Sequence, residues 1–122
     1  DRGAKLCFAN RTQEKARESA SRFGGKIYEK GVVCDGILSF VPVFDRLLLA
    51  DEKDVAAAEF VLDAYYFRDT RLLQCARKYG KIAVDGLDML FFQAIKAFEI
   101  FTSVKASDAD TEALYALFRS KI

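Results

Sequence analysis

Asn10-Arg11-Thr12 closes an apolar run, Lys5 to Ala9, and opens a stretch rich in helix formers. A polar triplet at a strand-to-helix turn is a natural phosphate site. Arg11 offers a planar fork of donors that matches phosphate oxygens. Thr12 adds a hydroxyl and a backbone N–H. If this strand is the second of a doubly wound dinucleotide sheet, its tip lies beside the adenosine ribose. An acidic residue there selects a free 2′-hydroxyl, whereas an Arg accommodates a 2′-phosphate and so favours NADP. The plainer reading makes Arg11 a solvated side chain and Thr12 only a helix cap.

A second group runs from Gly86 to Gln93. Gly86 follows a short apolar run, at a strand-to-helix turn on the sheet edge where open α/β folds bind ligands. Met89 and Gln93 are four apart and share a helix face. Gln93 is an amide among Leu90, Phe91, Phe92, Ile95 and Phe98, and a polyhydroxylated ligand would satisfy it. The plainer reading bonds it to neighbouring backbone and makes the Phe-rich stripe core. Tyr65-Tyr66 ends a strand at the same edge. Side-chain alternation predicts that one of the two faces a cleft and the other the core. Asp63, Asp85 and Asp88 read as turn and cap residues and receive no catalytic role.

Composition removes other chemistries. The chain contains no His among its 122 residues, so a Cys/His zinc site and a His-dependent triad are excluded within it. Cys7, Cys34 and Cys75 have no C-x-x-C spacing and read as buried, reduced packing residues of a cytoplasmic protein. A net charge of +1 gives no reason to expect nucleic acid as a partner. No apolar run reaches membrane-spanning length, and no metal is expected.

Strands must alternate with helices to position these groups. The patterning predicts strands at Lys5–Ala9, Lys26–Glu29, Ile37–Val41, Phe60–Tyr66 and Ile82–Val84. Pro42 is expected to end the third. Helices are predicted from Gln13 to Phe23, stopped by Gly24-Gly25, and from Thr70 to Tyr79, closed by Gly80. Two more are predicted at 87–102 and 108–120, the last with Leu114, Leu117 and Phe118 on one face. Phe44 to Glu59 reads as one or two short helices with loops. The fold class is α/β: a partial, mostly parallel Rossmann-like sheet flanked by helices, with a C-terminal helical segment, all in one domain over 1–122.

These features coincide in one family. Asn10-Arg11-Thr12 with Lys15-Ala16 resembles the N-R-T-x-x-K-A stretch of shikimate dehydrogenases. Asp63-Ala64-Tyr65-Tyr66 followed by Thr70-Arg71-Leu72-Leu73 is similar to their strand–Tyr–loop–T-x-L-L segment. Asp85 through Ala94 resembles their D-G-x-x-M-L-x-x-Q-A motif without a gap, and Ala97 through Thr102 their A-F-E-x-x-T. The resemblance implies NADP-linked interconversion of 3-dehydroshikimate and shikimate in aromatic amino acid biosynthesis. It implies that Asn10, Arg11 and Thr12 hold the 2′-phosphate and that Gly86 and Met89 lie against the nicotinamide. Gln93 would hydrogen-bond the substrate, with Tyr65 or Tyr66 lining the same cleft. Counting from Asp63 selects Tyr66 and counting back from Thr70 selects Tyr65.

The sequence departs from the family in three places. The substrate domain carrying the catalytic Lys and Asp is expected outside this chain, as is the first strand with its glycine-rich turn. Ser39 to Phe44 replaces an N-A-T-like segment that ends in Gly, and Phe44 would crowd a cofactor there. The expectation is therefore a cofactor-side portion of a dehydrogenase, inactive alone and acting as a homodimer or within a multifunctional polypeptide. The alternative is a dehydrogenase-like module without catalysis, used for binding or regulation. A different NADP-binding Rossmann reductase shares the N-R-T strand end but does not predict Asp85 to Ala94.

Overall fold

Alternation of short apolar runs with capped helices produces two parallel β-sheets and their helices, seen in a computed structural model that describes residues 3–41 and 50–121. The first unit is β1 (Cys7–Phe8), α1 (Gln13–Phe23) and β2 (Lys26–Ile27). Its strands run parallel, Cys7 opposite Lys26 and Phe8 opposite Ile27. Ala16 and Ala20, one turn apart, are the buried stripe of α1. Small side chains there let the helix lie close to the strands. Gly24 ends α1 in the left-handed region at φ 73°, where a side chain would be strained.

The second unit holds the core. It comprises β3 (Gly36–Ser39), α2 (Glu52–Ala57), β4 (Phe60–Asp63), α3 (Arg71–Lys78) and β5 (Ile82–Val84). The sheet order is β3-β4-β5, all parallel. Ile37, Val61 and Ala83 stand side by side in register. They turn toward Leu72, Leu73, Cys75 and Ala76 of α3 and Val55 of α2, which together form the core. The opposite face carries Leu38 and Ile82, 56% and 67% exposed. That face has no cover among the described residues. Among the described residues, no strand pairing joins the two sheets.

α4 (Gly86–Thr102) and α5 (Asp108–Ser120) follow as a helical pair. Of the Phe-rich stripe only Phe91 is buried, and Phe101 is 88% exposed, so most of the stripe is surface rather than core in this chain. Phe91 packs edge-on to Tyr115 and against Phe118, with ring centroids 5.1 and 5.5 Å away. The packed face of α5 is thus Tyr115, Phe118 and Arg119, while Leu114 and Leu117 stay exposed. This corrects the expectation of a Leu114–Leu117–Phe118 face.

Other expectations shift by smaller amounts. The helices match closely, whereas β1 to β4 are each shorter than their apolar runs. β3 stops at Ser39, before Pro42, and Pro42 to Phe44 lie outside the described residues. All three thiols are free, but only Cys75 is buried. Cys7 is exposed and Cys34 half-buried, so they are not core packing residues. Burial, with Cys7 close by, pushes the Cys34 thiol up. Among the described residues, no helix is long and apolar enough to cross a membrane.

Candidate functional site

Parallel pairing carries the C-terminal ends of β4 and β5 to one sheet edge, and the residues beyond them form a cavity. It measures about 260 Å³ and is lined by Tyr65, Tyr66, Phe67, Leu73, Asp85 and Leu87, among others. Arg77 and Asp69 pair at 2.5 Å on its rim. Tyr66 stacks on Phe67 with centroids 4.4 Å apart, and Tyr65 lies tilted to the same ring. Both tyrosines therefore line the cavity, Tyr65 half-buried and Tyr66 exposed. The expected split between cleft and core does not occur. β4 ends at Asp63, so strand alternation no longer governs these side chains.

Asp63 shapes this edge. It is buried, and its carboxylate accepts the Tyr65 N–H at 3.2 Å and the Thr70 hydroxyl at 2.8 Å. Thr70 in turn caps α3, accepting the Leu73 N–H at 3.3 Å. One carboxylate thus fixes both ends of the loop that carries the tyrosines, a positioning role rather than a catalytic one.

Gly86 sits against that loop. Its N–H donates to the Tyr65 carbonyl at 3.3 Å. A Cβ added there would lie 2.1 Å from the Ala64 carbonyl oxygen, far inside contact distance. Close backbone approach explains glycine at this position without a ligand. Asp85 caps α4, accepting the Asp88 N–H at 3.0 Å. Met89 is half-buried on the first turn. Gln93, two turns along, is exposed, and no hydrogen bond engages its amide among the described residues. Neither Met89 nor Gln93 lines the cavity. The amide has no need of buried partners, contrary to the expectation from its apolar neighbours.

Asn10, Arg11 and Thr12 occupy the tip of β1, at the end of the other sheet. Asn10 Oδ1 accepts the Thr12 N–H at 2.9 Å. That N–H is thus satisfied within the turn. The Thr12 side chain makes no capping bond to α1, so its hydroxyl stays available. Arg11 is exposed, and no ion pair holds it among the described residues. An unengaged guanidinium and hydroxyl beside a helix N-terminus fit a phosphate. No hydrogen bond joins this tip to the Tyr65–Gly86 turn among the described residues.

Sequence reasoning missed Arg119. Its Nη2 lies 3.0 Å from Asp85 and 2.5 Å from Asp88. A lone Arg in the last turn of a helix carries no motif, so nothing local could have found it. Among the described residues, no cluster of His, Cys, Asp or Glu could hold a metal ion.

No family model matches the chain. It is 32% identical to the shikimate dehydrogenase (NADP(+)) of Methanothrix thermoacetophila over 98% of this chain and 47% of that protein. It is 35% identical to the bifunctional 3-dehydroquinate dehydratase/shikimate dehydrogenase, chloroplastic, of Arabidopsis thaliana over 87% of this chain and 20% of that protein. The fold superposes on a chorismate mutase/shikimate 5-dehydrogenase fusion protein from Clostridium acetobutylicum with TM-score 0.78. Identity there is 24%, over 96% of this chain and 45% of the other. The chain spans about half the length of the archaeal relative or less of the others. Over the portion of those relatives that it spans, the chain belongs to the shikimate dehydrogenase family.

Proposed function

We propose that this chain is the cofactor-side portion of an NADP-dependent shikimate dehydrogenase. The observation that carries the reading is one sheet edge that unites the tyrosine loop with the Asp85–Gly86 turn around a cavity. The tyrosine segment and the Asp85–Gly86 turn, which belong to two separate motifs of the resemblance, meet at that edge, and Met89 and Gln93 lie outside the cavity on the helix that the turn begins. When bound, NADPH would supply the hydride for the ring carbonyl carbon of 3-dehydroshikimate, and NADP would accept it back from shikimate. Arg11 and the Thr12 hydroxyl hold the adenosine 2′-phosphate. Met89 and the Gly86 backbone bound the nicotinamide side, and Gln93 presents its exposed amide to the substrate. Tyr65 and Tyr66 line the substrate side of the cavity.

A catalytic Lys and Asp, the first strand and its glycine turn belong to the rest of the polypeptide in this reading. The break between β1 and β3 supports it. In the doubly wound order 3-2-1-4-5-6, one strand separates the pair β2-β1 from the triplet β3-β4-β5. The working protein is proposed to be cytoplasmic and dimeric, or fused to another enzyme as the Arabidopsis and Clostridium relatives are. The relatives bear enzyme names and lend nothing to an inactive binding module. The test is direct. The intact polypeptide, given shikimate and NADP, should raise the absorbance of reduced nicotinamide. A folded polypeptide that gives no such rise overturns the proposal.

A further inference from the structure

The strongest unassigned cluster lies where α5 crosses the start of α4. Arg119 Nη2 donates to both oxygens of Asp85, at 3.1 and 3.0 Å, and to Asp88 at 2.5 Å. Its Nε donates to the Tyr115 hydroxyl at 3.1 Å. That hydroxyl donates to Asp88. All four groups are half-buried. The bond from Tyr115 and the two carboxylates push Arg119 still higher than its ordinary value, so its charge is permanent.

Asp85 already serves α4 as its cap. Asp88 stands one turn on, and two like charges so close repel in a partly buried setting. Arg119 is the cation between them. It comes from the far end of the chain, and the rings of Tyr115 and Phe118 dock its helix on Phe91. The α4 start is thereby held from two sides. Backbone of Ala64 and Tyr65 presses on Gly86 from the sheet, and Arg119 clamps Asp85 and Asp88 from α5.

We infer that Arg119 is a positioning residue: through Asp85 and Asp88 it sets the first turn of α4, and with it Gly86 and Met89, for the nicotinamide. The inference rests on the proposed function for its catalytic consequence but not for its structural one. Arg119 touches no reacting atom in this scheme. Its guanidinium reaches both carboxylates through Nη2 and the Tyr115 hydroxyl through Nε, a span that the single nitrogen of a lysine ammonium matches less well.

Met89 is the single methionine of the chain, which gives a clean probe. With ¹³C-methyl methionine, the full chain shows one resonance on the turn in question. In Arg119→Gln that resonance should shift and broaden, and Arg119→Lys should restore it in part. In the intact polypeptide, Arg119→Gln should lower kcat about tenfold, as a misplaced reacting group does. Affinity for adenosine 2′,5′-bisphosphate, a probe of the adenosine end of the site at Arg11 and Thr12, should not change. Tyr115→Phe removes one hydroxyl and should give a smaller displacement of the same kind, which keeps the test open if Arg119→Gln does not fold. An unmoved Met89 resonance in a folded variant overturns the inference, as does unchanged kcat in an active polypeptide. If the intact wild-type polypeptide has no dehydrogenase activity, the proposed function fails, and the Met89 resonance still decides whether the clamp exists.

Discussion

Arg11 and Gly86 meet different physical demands, and their substitutions should fail differently. Arg11 is exposed and holds no partner among the described residues, so its loss costs the fold little. A charge-assisted bond to phosphate contributes about 1.5–3 kcal/mol. Arg11→Ala should therefore raise the dissociation constant of NADP at least about tenfold, since 1.4 kcal/mol is one decade. Binding of NAD, which lacks the 2′-phosphate, should hardly change. Titration of both cofactors into the intact polypeptide checks this, and equal losses for the two would remove Arg11 from the phosphate site. Gly86→Ala acts on the fold instead. The new methyl would meet the Ala64 carbonyl at 2.1 Å, and backbone on both sides cannot retreat as a flexible side chain would. A cost of about 1–3 kcal/mol is expected from overpacking, read as a lower urea midpoint at constant slope. An unchanged midpoint would mean that the turn can open without penalty.

Between elements, side chains distant in sequence decide the contacts. The Tyr28 hydroxyl, just past β2, donates to Asp54 of α2 at 2.5 Å and ties the small sheet to the larger unit. Burial and then this bond raise its pKa to about 12 from 10.0. The unfolded chain gives up that proton first, so the folded state binds more protons at high pH. The stability this contact adds is whole below pH 10.0 and is lost as pH rises through about 12. Urea unfolding should show a declining alkaline limb that Tyr28→Phe removes, and a limb identical in the variant would assign the decline to other groups. Helices were the most legible elements, because Thr12, Thr70 and Asp85 sit at their N-caps and Gly24 and Gly80 mark two of their ends. Strands were less so. Apolar runs such as Lys5 to Ala9 extend past the paired residues because β1 has a bonded neighbour only in β2 among the described residues. The face of α5 was not legible at all. Its periodicity allows the Leu114–Leu117 side, and the choice of Tyr115, Phe118 and Arg119 is made by Phe91, Asp85 and Asp88, beyond the reach of a helical pattern. The motifs point to one cleft for a tyrosine, Gly86, Met89 and Gln93, whereas the cavity takes both tyrosines and leaves out Met89 and Gln93, a lining that depends on where β4 ends.

On the scale of the whole molecule, the balance of covered and uncovered apolar surface decides how the chain behaves alone. Among the described residues, Val55, Val61 and Leu73 are the largest fully buried side chains. Against them stand the bare face of the larger sheet, with Leu38 and Ile82, and the outer side of α4, with Phe98, Ile100 and Phe101. Such patches on a soluble surface mark contact sites or invite association. The inner edges of β1 and β3 add backbone donors and acceptors with no partner strand among the described residues, a template for pairing with another chain. In the proposed reading both deficits have one remedy, since a strand between β1 and β3 fills the edges and the helix after it can lie on the bare face. By the right-handed crossover rule, that helix falls on the same side as α1, opposite α3. The 122-residue chain should therefore self-associate with rising concentration in sedimentation velocity, whereas the intact polypeptide should not form open-ended oligomers. Hydrogen exchange gives the finer measurement. Amides of Cys7–Phe8 and Gly36–Ser39 that face the gap should exchange rapidly in the isolated chain and be protected in the intact polypeptide, while amides of α3 around Leu73 should be slow in both. A monodisperse isolated chain with both strands already protected would show that the two sheets close on each other without a strand between them.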